Sequence, residues 1–456
     1  MKRLLLLCCL SLIVLPAFGQ MFGPGGAPPP EATAACQGQL EGDACSFDAP
    51  RGQVRGECHN VPNGGLACVP QRRGMGRQHD SSAGSSSQRV GSTTPFGANI
   101  AGDNPDAIPV NSRVPDTHQG SCFDNNGIIP CPSRGAPFWG QDAQFIGAPP
   151  GYRNNGDGTI SDLVTGLTWQ KAHNATRLNQ VDADAACASL RLGGYDDWRL
   201  PTIKELFSLA DFRGSQGRRA YINDIFDFSI PDQSVLEGDP FKQHRVGMMG
   251  QTWSSTIYTG VHWGRPGVKA AFFFNFLDGH IKQAPVQGRS KLFYRCVRGP
   301  VWGNNQFEVR GDTVYDRTTR LTWQRADDGR TRNWQQALAY CAGLHLGGDG
   351  DWRLPNVKEL ESIVDYSQHA PALDERFLQM SDPKGWFWSS TTHGDNIRMA
   401  DYVCFGPCTS AQGVDVHGAG AQRSDPKAGN PADYTSIGPQ QDEVRIYNYV
   451  RCVRSD

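Results

Sequence analysis

The chain has 456 residues and a formal charge of −2, with 44 Lys+Arg set against 46 Asp+Glu. That balance argues against a dedicated nucleic-acid binder, and 53 glycines, 30 prolines and 38% hydrophobic residues describe a loop-rich chain with modest cores. No stretch reaches the roughly 18 apolar residues of a membrane helix, so no membrane span is expected.

Residues 1–19 have the layout of a secretory signal. Lys2 and Arg3 precede the apolar run Leu4 to Leu15, then Pro16 and the small-residue site Ala17-Phe18-Gly19. Export to the periplasm, the cell surface or the medium is the expectation, and Cys8 and Cys9 would leave with the signal. Of 14 cysteines an even number then remains, which in an oxidising compartment suggests full pairing. Residues 20–35 read as a disordered Gly/Pro/Ala leader. Cys36, Cys45, Cys58 and Cys68 mark a module at 36–70 that is too small to hold itself by apolar burial. Two disulfides are expected there, in any of three pairings. Zinc is the rival, but the close Cys-x-x-Cys pairs of zinc modules are missing. Residues 71–120 read as a flexible linker. Within a 121–149 connector, Cys122 and Cys131 bracket the turn Asn125-Asn126-Gly127 and are expected to pair.

The remaining chain is written twice. Gly166-Leu167-Thr168-Trp169-Gln170, Cys187, Asp197-Trp198-Arg199-Leu200-Pro201, Trp253-Ser254-Ser255 and Arg295-Cys296-Val297-Arg298 return as Arg320-Leu321-Thr322-Trp323-Gln324, Cys341, Asp351-Trp352-Arg353-Leu354-Pro355, Trp388-Ser389-Ser390 and Arg451-Cys452-Val453-Arg454. The early elements repeat at 154 residues, a whole-domain period. Two tandem domains are expected, at 150–299 and 301–456.

Each repeat opens on a hairpin ending in Leu-Thr-Trp, where Leu167 and Trp169 share one face. A helix capped by Asn179 or Asn333 follows and is stopped by Gly193-Gly194 or Gly347-Gly348. A second helix starts after Trp-Arg-Leu-Pro, with Thr202/Glu205 and Asn356/Glu359 as capping pairs. Later strands are read at Ala271–Phe276, Tyr402–Phe405 and Arg445–Val450. The fold class is α+β, two helices on a mostly antiparallel, long-looped sheet. Cys187 with Cys296 and Cys341 with Cys452 would join the first helix to the last strand of each repeat, and Cys404 with Cys408 would close a small loop.

The repeated residues resemble the Lcl C-terminal domain family of bacterial exported domains. The resemblance implies a fold related to C-type lectins and, because its best-known member is a surface adhesin for sulfated glycosaminoglycans, adhesion or glycan binding. The collagen-like region of that adhesin is absent here.

Candidate sites are few. Asn154-Asn155-Gly156-Asp157-Gly158-Thr159 echoes an EF-hand loop but lacks both terminal carboxylates, so it reads as a hairpin turn. No metal site is expected, and calcium in a lectin-like loop is the one cofactor the resemblance leaves open. Arg199 and Arg353 read as structural, paired with a carboxylate such as Asp197. Glu205 and Glu359 read as caps rather than acids. No His-Glu-x-x-His, Gly-x-Ser-x-Gly or phosphate-loop motif is present, so an enzyme is not expected. Residues 151–299 hold 18 Lys/Arg against 14 Asp/Glu, whereas 301–456 hold 16 against 21. A polyanion would therefore meet the first repeat, through Arg265, Lys269, Lys282, Arg289 and Lys291, with Trp253 as a sugar platform. A solvated strand face and a core tryptophan are the plainer alternatives. Glycans or anionic polysaccharides are the expected partners, with envelope proteins as the alternative.

Overall fold

The computed structural model describes residues 30–37, 39, 44–49, 52–60, 66–70, 104–174, 176–229, 246–434 and 441–455. The expected signal, residues 20–29 of the leader and 71–103 of the linker lie outside them. The described residues fall into two compact units divided near Gly91.

In the first unit a short helix α1 (Pro30–Ala34) accompanies an antiparallel sheet of β1 (Ala44–Ala49), β2 (Gly52–Asn60) and β3 (Leu66–Pro70). Cys36 is bonded to Cys58 and Cys45 to Cys68, so the four sulfurs are not a zinc-binding thiolate set. The leader expectation fails at α1, because Ala32 packs into the core around these bridges.

In the second unit four two-residue strands precede the repeats: β4 (Ile108–Pro109), β5 (Cys122–Phe123), β6 (Ile128–Ile129) and β7 (Phe145–Ile146). Strand β4 pairs in parallel with β7, and β5 with β6 across a turn closed by Cys122–Cys131. The linker expectation therefore fails from Asn104 onward. Asp116, Thr117 and Gln119 are buried. A polar composition reads as loop, but Asp116, Thr117 and Gln119 each have hydrogen-bond partners that offset the cost of burying them.

The first repeat comprises β8 (Tyr152–Asn154), β9 (Thr159–Asp162), β10 (Thr168–Gln170), α2 (Gln180–Ala188), α3 (Ile203–Ser208), β11 (Gln251–Ile257), β12 (Ala270–Asn275), β13 (His280–Pro285) and β14 (Val297–Arg298). The second comprises β15 (Phe307–Arg310), β16 (Thr313–Asp316), β17 (Leu321–Gln324), α4 (Trp334–Ala342), α5 (Val357–Ser362), β18 (Trp386–Thr392), β19 (Met399–Cys404), β20 (Gln422–Pro426) and β21 (Val453–Ser455). Each repeat is a sheet-rich α+β domain. Its strands form two antiparallel sheets rather than the single sheet expected, in orders β14-β10-β9-β8 and β11-β12-β13, then β15-β16-β17-β21 and β18-β19-β20.

Local chemistry explains the elements. Asn179 and Asn333 accept from the N–H groups of Asp182 and Gln336, and Thr202/Glu205 and Asn356/Glu359 form reciprocal capping boxes. Gly193 and Gly194 do not stop α2. They sit beyond its end at φ 61° and 79°, turning the chain between Leu192 and Tyr195. The strand expected over Arg445–Val450 is irregular, because Ile446 has φ 61° and breaks the extended chain. Cys187–Cys296, Cys341–Cys452 and Cys404–Cys408 are bonded.

The two repeats share one core. Ile160, Trp169, Leu206 and Phe274 of the first belong to the same buried cluster as Val314, Trp323, Leu360 and Phe387 of the second. Helix α3 packs on α5, and the contact is reciprocal. Lys204 Nζ donates to the Ser362 carbonyl at 2.7 Å, and its counterpart Lys358 Nζ donates to the Ser208 carbonyl at 3.0 Å. Residue i touching j while the equivalent of j touches the equivalent of i is the mark of a two-fold contact.

Two outcomes are expected. Replacing Cys341 and Cys452 together by Ser should lower unfolding stability by about 3–5 kcal/mol in urea titrations, because the bridge closes a long loop. Burial pushes the Lys358 ammonium down to about 8, against the attraction of Asp116, Asp211, Asp162 and Asp142. Between pH 8 and the ordinary lysine value the unfolded chain holds a proton that the folded chain lacks, so this group adds stability as pH rises. Lys358→Met should show a shallower rise in that window, and at pH 7 should lose about 1–3 kcal/mol through unpaired carbonyls.

Candidate functional site

The residues that first invite a catalytic reading are committed to structure. Arg199 reaches Glu205 through two bonds of 2.7 and 2.6 Å, and Arg353 reaches Glu359 through two of 2.6 Å. Asp197 is not the partner, because it pairs with Arg298 instead. Each glutamate also accepts from the N–H of its cap residue, Thr202 or Asn356. A carboxylate so held has no lone pair pointed at a cleft.

Trp253 is 0% exposed and its Nε1 donates to the Leu178 carbonyl at 2.9 Å. Trp388 is equally buried and donates to the Arg332 carbonyl. Neither offers a face to a sugar, and the platform expectation for Trp253 is overturned because the ring belongs to the core around Cys187–Cys296. Lys282 is likewise withdrawn from the surface. It is buried and paired with Asp278, whose carboxyl is held far below the usual range by Lys282 and His280 against the opposing effect of burial.

The other four predicted cations stand differently. Arg265, Lys269, Arg289 and Lys291 are exposed, and their side chains form no ion pair among the described residues. Arg265 and Lys269 precede β12, and Arg289 follows β13, whose exit meets Lys269 through the 3.1 Å Val286–Lys269 backbone bond, whereas the Thr252–Phe293 bridge carries Lys291 toward the start of β11. The sequence reading missed a fifth cation. Arg177 is exposed, and the antiparallel Leu178–Leu292 bridge sets it opposite Phe293, its guanidinium 5.8 Å from that ring's centroid. Only the fold brings residues so distant in sequence together.

Where the repeats meet, a buried polar seam replaces the apolar core. His280 and His393 stack at 4.3 Å between ring centroids, and Tyr221 stacks on the other side of His393. His393 Nδ1 lies 2.9 Å from Asp401 Oδ1, and its Nε2 faces Asp395 at 3.7 Å. Burial opposes charge on His393, but the two carboxylates overcome it and raise that imidazole well above its ordinary value. Burial and then the facing His393 push His280 the other way. The ligand atoms of His280, His393 and Asp401 lie within 4.8 Å of one another. Their arrangement is that of two stacked imidazoles, one of them, His393, held between the carboxylates of Asp401 and Asp395.

A cleft of about 570 Å³ opens at the junction of the repeats, a size that suits a ligand. Thr202, Lys204 and Thr256 line one side, Val301 to Phe307 the floor, and Asp365, Tyr366, Arg376 and Phe377 the other side.

Two tandem, sheet-rich α+β domains, each clasped by a disulfide from its first helix to its return strand, define the class of this protein. The chain belongs to the Lcl C-terminal domain family, whose model matches residues 158–298 and 312–454. A comparison with curated proteins and with solved structures gives no match.

Arg353→Ala should cost about 3–5 kcal/mol in chemical denaturation, because it strands the buried Glu359 carboxylate. An undiminished stability would show that the pair is not structural.

Proposed function

We propose that this protein is an exported, non-enzymatic binding or adhesion protein whose first repeat recognises anionic polysaccharide, with domains related to C-type lectins. The observation that carries the reading is a set of exposed cations on the first repeat, Arg177, Arg265, Lys269, Arg289 and Lys291, none of them ion-paired among the described residues. Exposed charges of one sign attract a flexible polyanion with little reorganisation, and the attraction weakens over a Debye length of about 8 Å at physiological salt. Family membership agrees with such a role without specifying a ligand. The commitment of Glu205, Glu359 and the bonded cysteines to structure supports binding over catalysis. No helix among the described residues is long and apolar enough to cross a membrane.

A second reading, an envelope component that binds other proteins, is favoured by the cleft at the junction of the repeats.

Immobilised heparin tests the first reading. The full chain should be retained at low salt and released as salt rises, and the triple variant Lys269→Glu, Arg289→Glu, Lys291→Glu should bind at least about tenfold more weakly. Absence of retention at low salt, or retention unchanged in the variant, would remove the proposal.

A further inference from the structure

The duplication supplies an internal comparison for the open cleft. The Trp-Arg-Leu-Pro helices align Lys204 with Lys358 and Phe212 with Tyr366, and the Trp-Ser-Ser strands align Thr256 with Thr391 and Ile257 with Thr392. Strand register likewise aligns Tyr152 with Phe307, each facing an aspartate, Asp162 or Asp316. Exchanging the repeats therefore maps the open cleft onto a second groove lined by Lys358, Thr391, Thr392 and Phe212.

That second groove is not empty. The chain's own segment 114–119 lies in it as a strap that turns at His118, where φ is 64°. The Phe212 N–H donates to the Thr117 carbonyl at 2.9 Å, and Lys358 Nζ donates to the Asp116 carbonyl at 3.0 Å. The Gln119 amide makes a two-way pair with the Thr392 backbone, accepting from its N–H at 2.8 Å and donating to its carbonyl at 2.7 Å. On its other edge the strap runs parallel to 145–148, with the Asp116 N–H on the Ala148 carbonyl. The contacts are mostly to backbone, the way a groove holds a polypeptide.

The open cleft presents the matching surface uncovered. Val301 on the floor is 48% exposed, and Ile257, which follows the lining residue Thr256, is 38% exposed where Thr392 is 1% exposed. Among the described residues the Tyr366 N–H has no acceptor, whereas its counterpart Phe212 holds the strap. We propose that the open cleft is a docking site for a segment of another polypeptide. That segment places a carbonyl on the Tyr366 N–H and covers Val301. The site is separate from the exposed cations and stands whether or not polyanions bind there.

The test uses the full chain and a synthetic peptide spanning residues 112–120, added in trans, together with a phage library of linear peptides panned on the same protein. Saturable binding is expected, with amide exchange at Tyr366 slowed by about tenfold or more. Val301→Arg should abolish it, and Asn304→Arg is a second variant that fills the same cleft from another exposed position. Thermal unfolding of both variants confirms that the fold is kept. If neither the peptide nor any library clone binds in a way that these variants remove, the inference fails. It fails equally if the cleft takes an oligosaccharide, blocked by Val301→Arg, and no peptide.

Discussion

Two lysines, Lys358 buried and Lys204 half-buried, hold this molecule in a single arrangement. Lys204 and Lys358 each cross from their own repeat to the last turn of the other repeat's helix, where unsatisfied carbonyls wait. A lysine inside a core is costly unless its protons are used, and an exposed helix end in a core is costly unless its carbonyls are met. Each lysine answers both costs at once, and only the two-fold arrangement lets both do so. Sliding or rotating one repeat against the other would leave two ammonium groups and two helix ends unpaired. Everything at the junction inherits its geometry from that exchange: the shared core, the polar seam and the two related grooves.

Around this fixed relation the repeats have diverged. Strand register aligns Phe272 with Asp401 and Tyr258 with His393, since Trp253–Phe273 and Trp388–Tyr402 are matched pairs. On one side of the junction the position is therefore aromatic, with Tyr258 against Phe272 edge to face. On the other it is ionic, with His393 against Asp401. Close to the axis, Ile281 and Gln422 are equivalents that meet each other, the Ile281 N–H on the Gln422 side chain. A duplicated interface tolerates such divergence because each half need only complement the other, and no longer itself.

Much of the architecture was legible in the sequence because it depends on short-range chemistry or on repetition. The caps at Asn179, Asn333, Thr202 and Asn356 follow from local side-chain hydrogen bonding, and Leu167 and Trp169 share a buried face by strand alternation alone. The helix-to-strand bridges could be read from the place of Cys187 and Cys296 in a repeated frame. What composition misled was the segment after Asn104. Asp, Thr, His and Gln between prolines resemble a linker, and nothing local reveals that their partners lie more than two hundred residues away, as Gln119 and Thr392 do. Trp253 and Lys282 failed as ligand residues for a related reason. An aromatic ring or a cation on a strand is exposed or buried according to which sheet face meets the core, and that is settled by the packing of α2 and of the other repeat.

The single N-terminus of a duplicated chain imposes an asymmetry that two separate copies would not have. A segment entering the first repeat can cover one of two related grooves. The corresponding stretch before the second repeat, residues 299–306, must instead connect the repeats and can only form a floor. The chain thus satisfies one groove with Thr117 and Gln119, while in the other, among the described residues, the Tyr366 N–H has no acceptor and Val301 is exposed. Trp302, Phe307, Tyr366 and Phe377 line the open groove and also pack against the shared core, so its aromatic wall is fixed by the fold itself. An aromatic, backbone-presenting groove next to a filled twin already has the shape of a polypeptide receptor, and the strap shows in the same molecule how such a groove is filled.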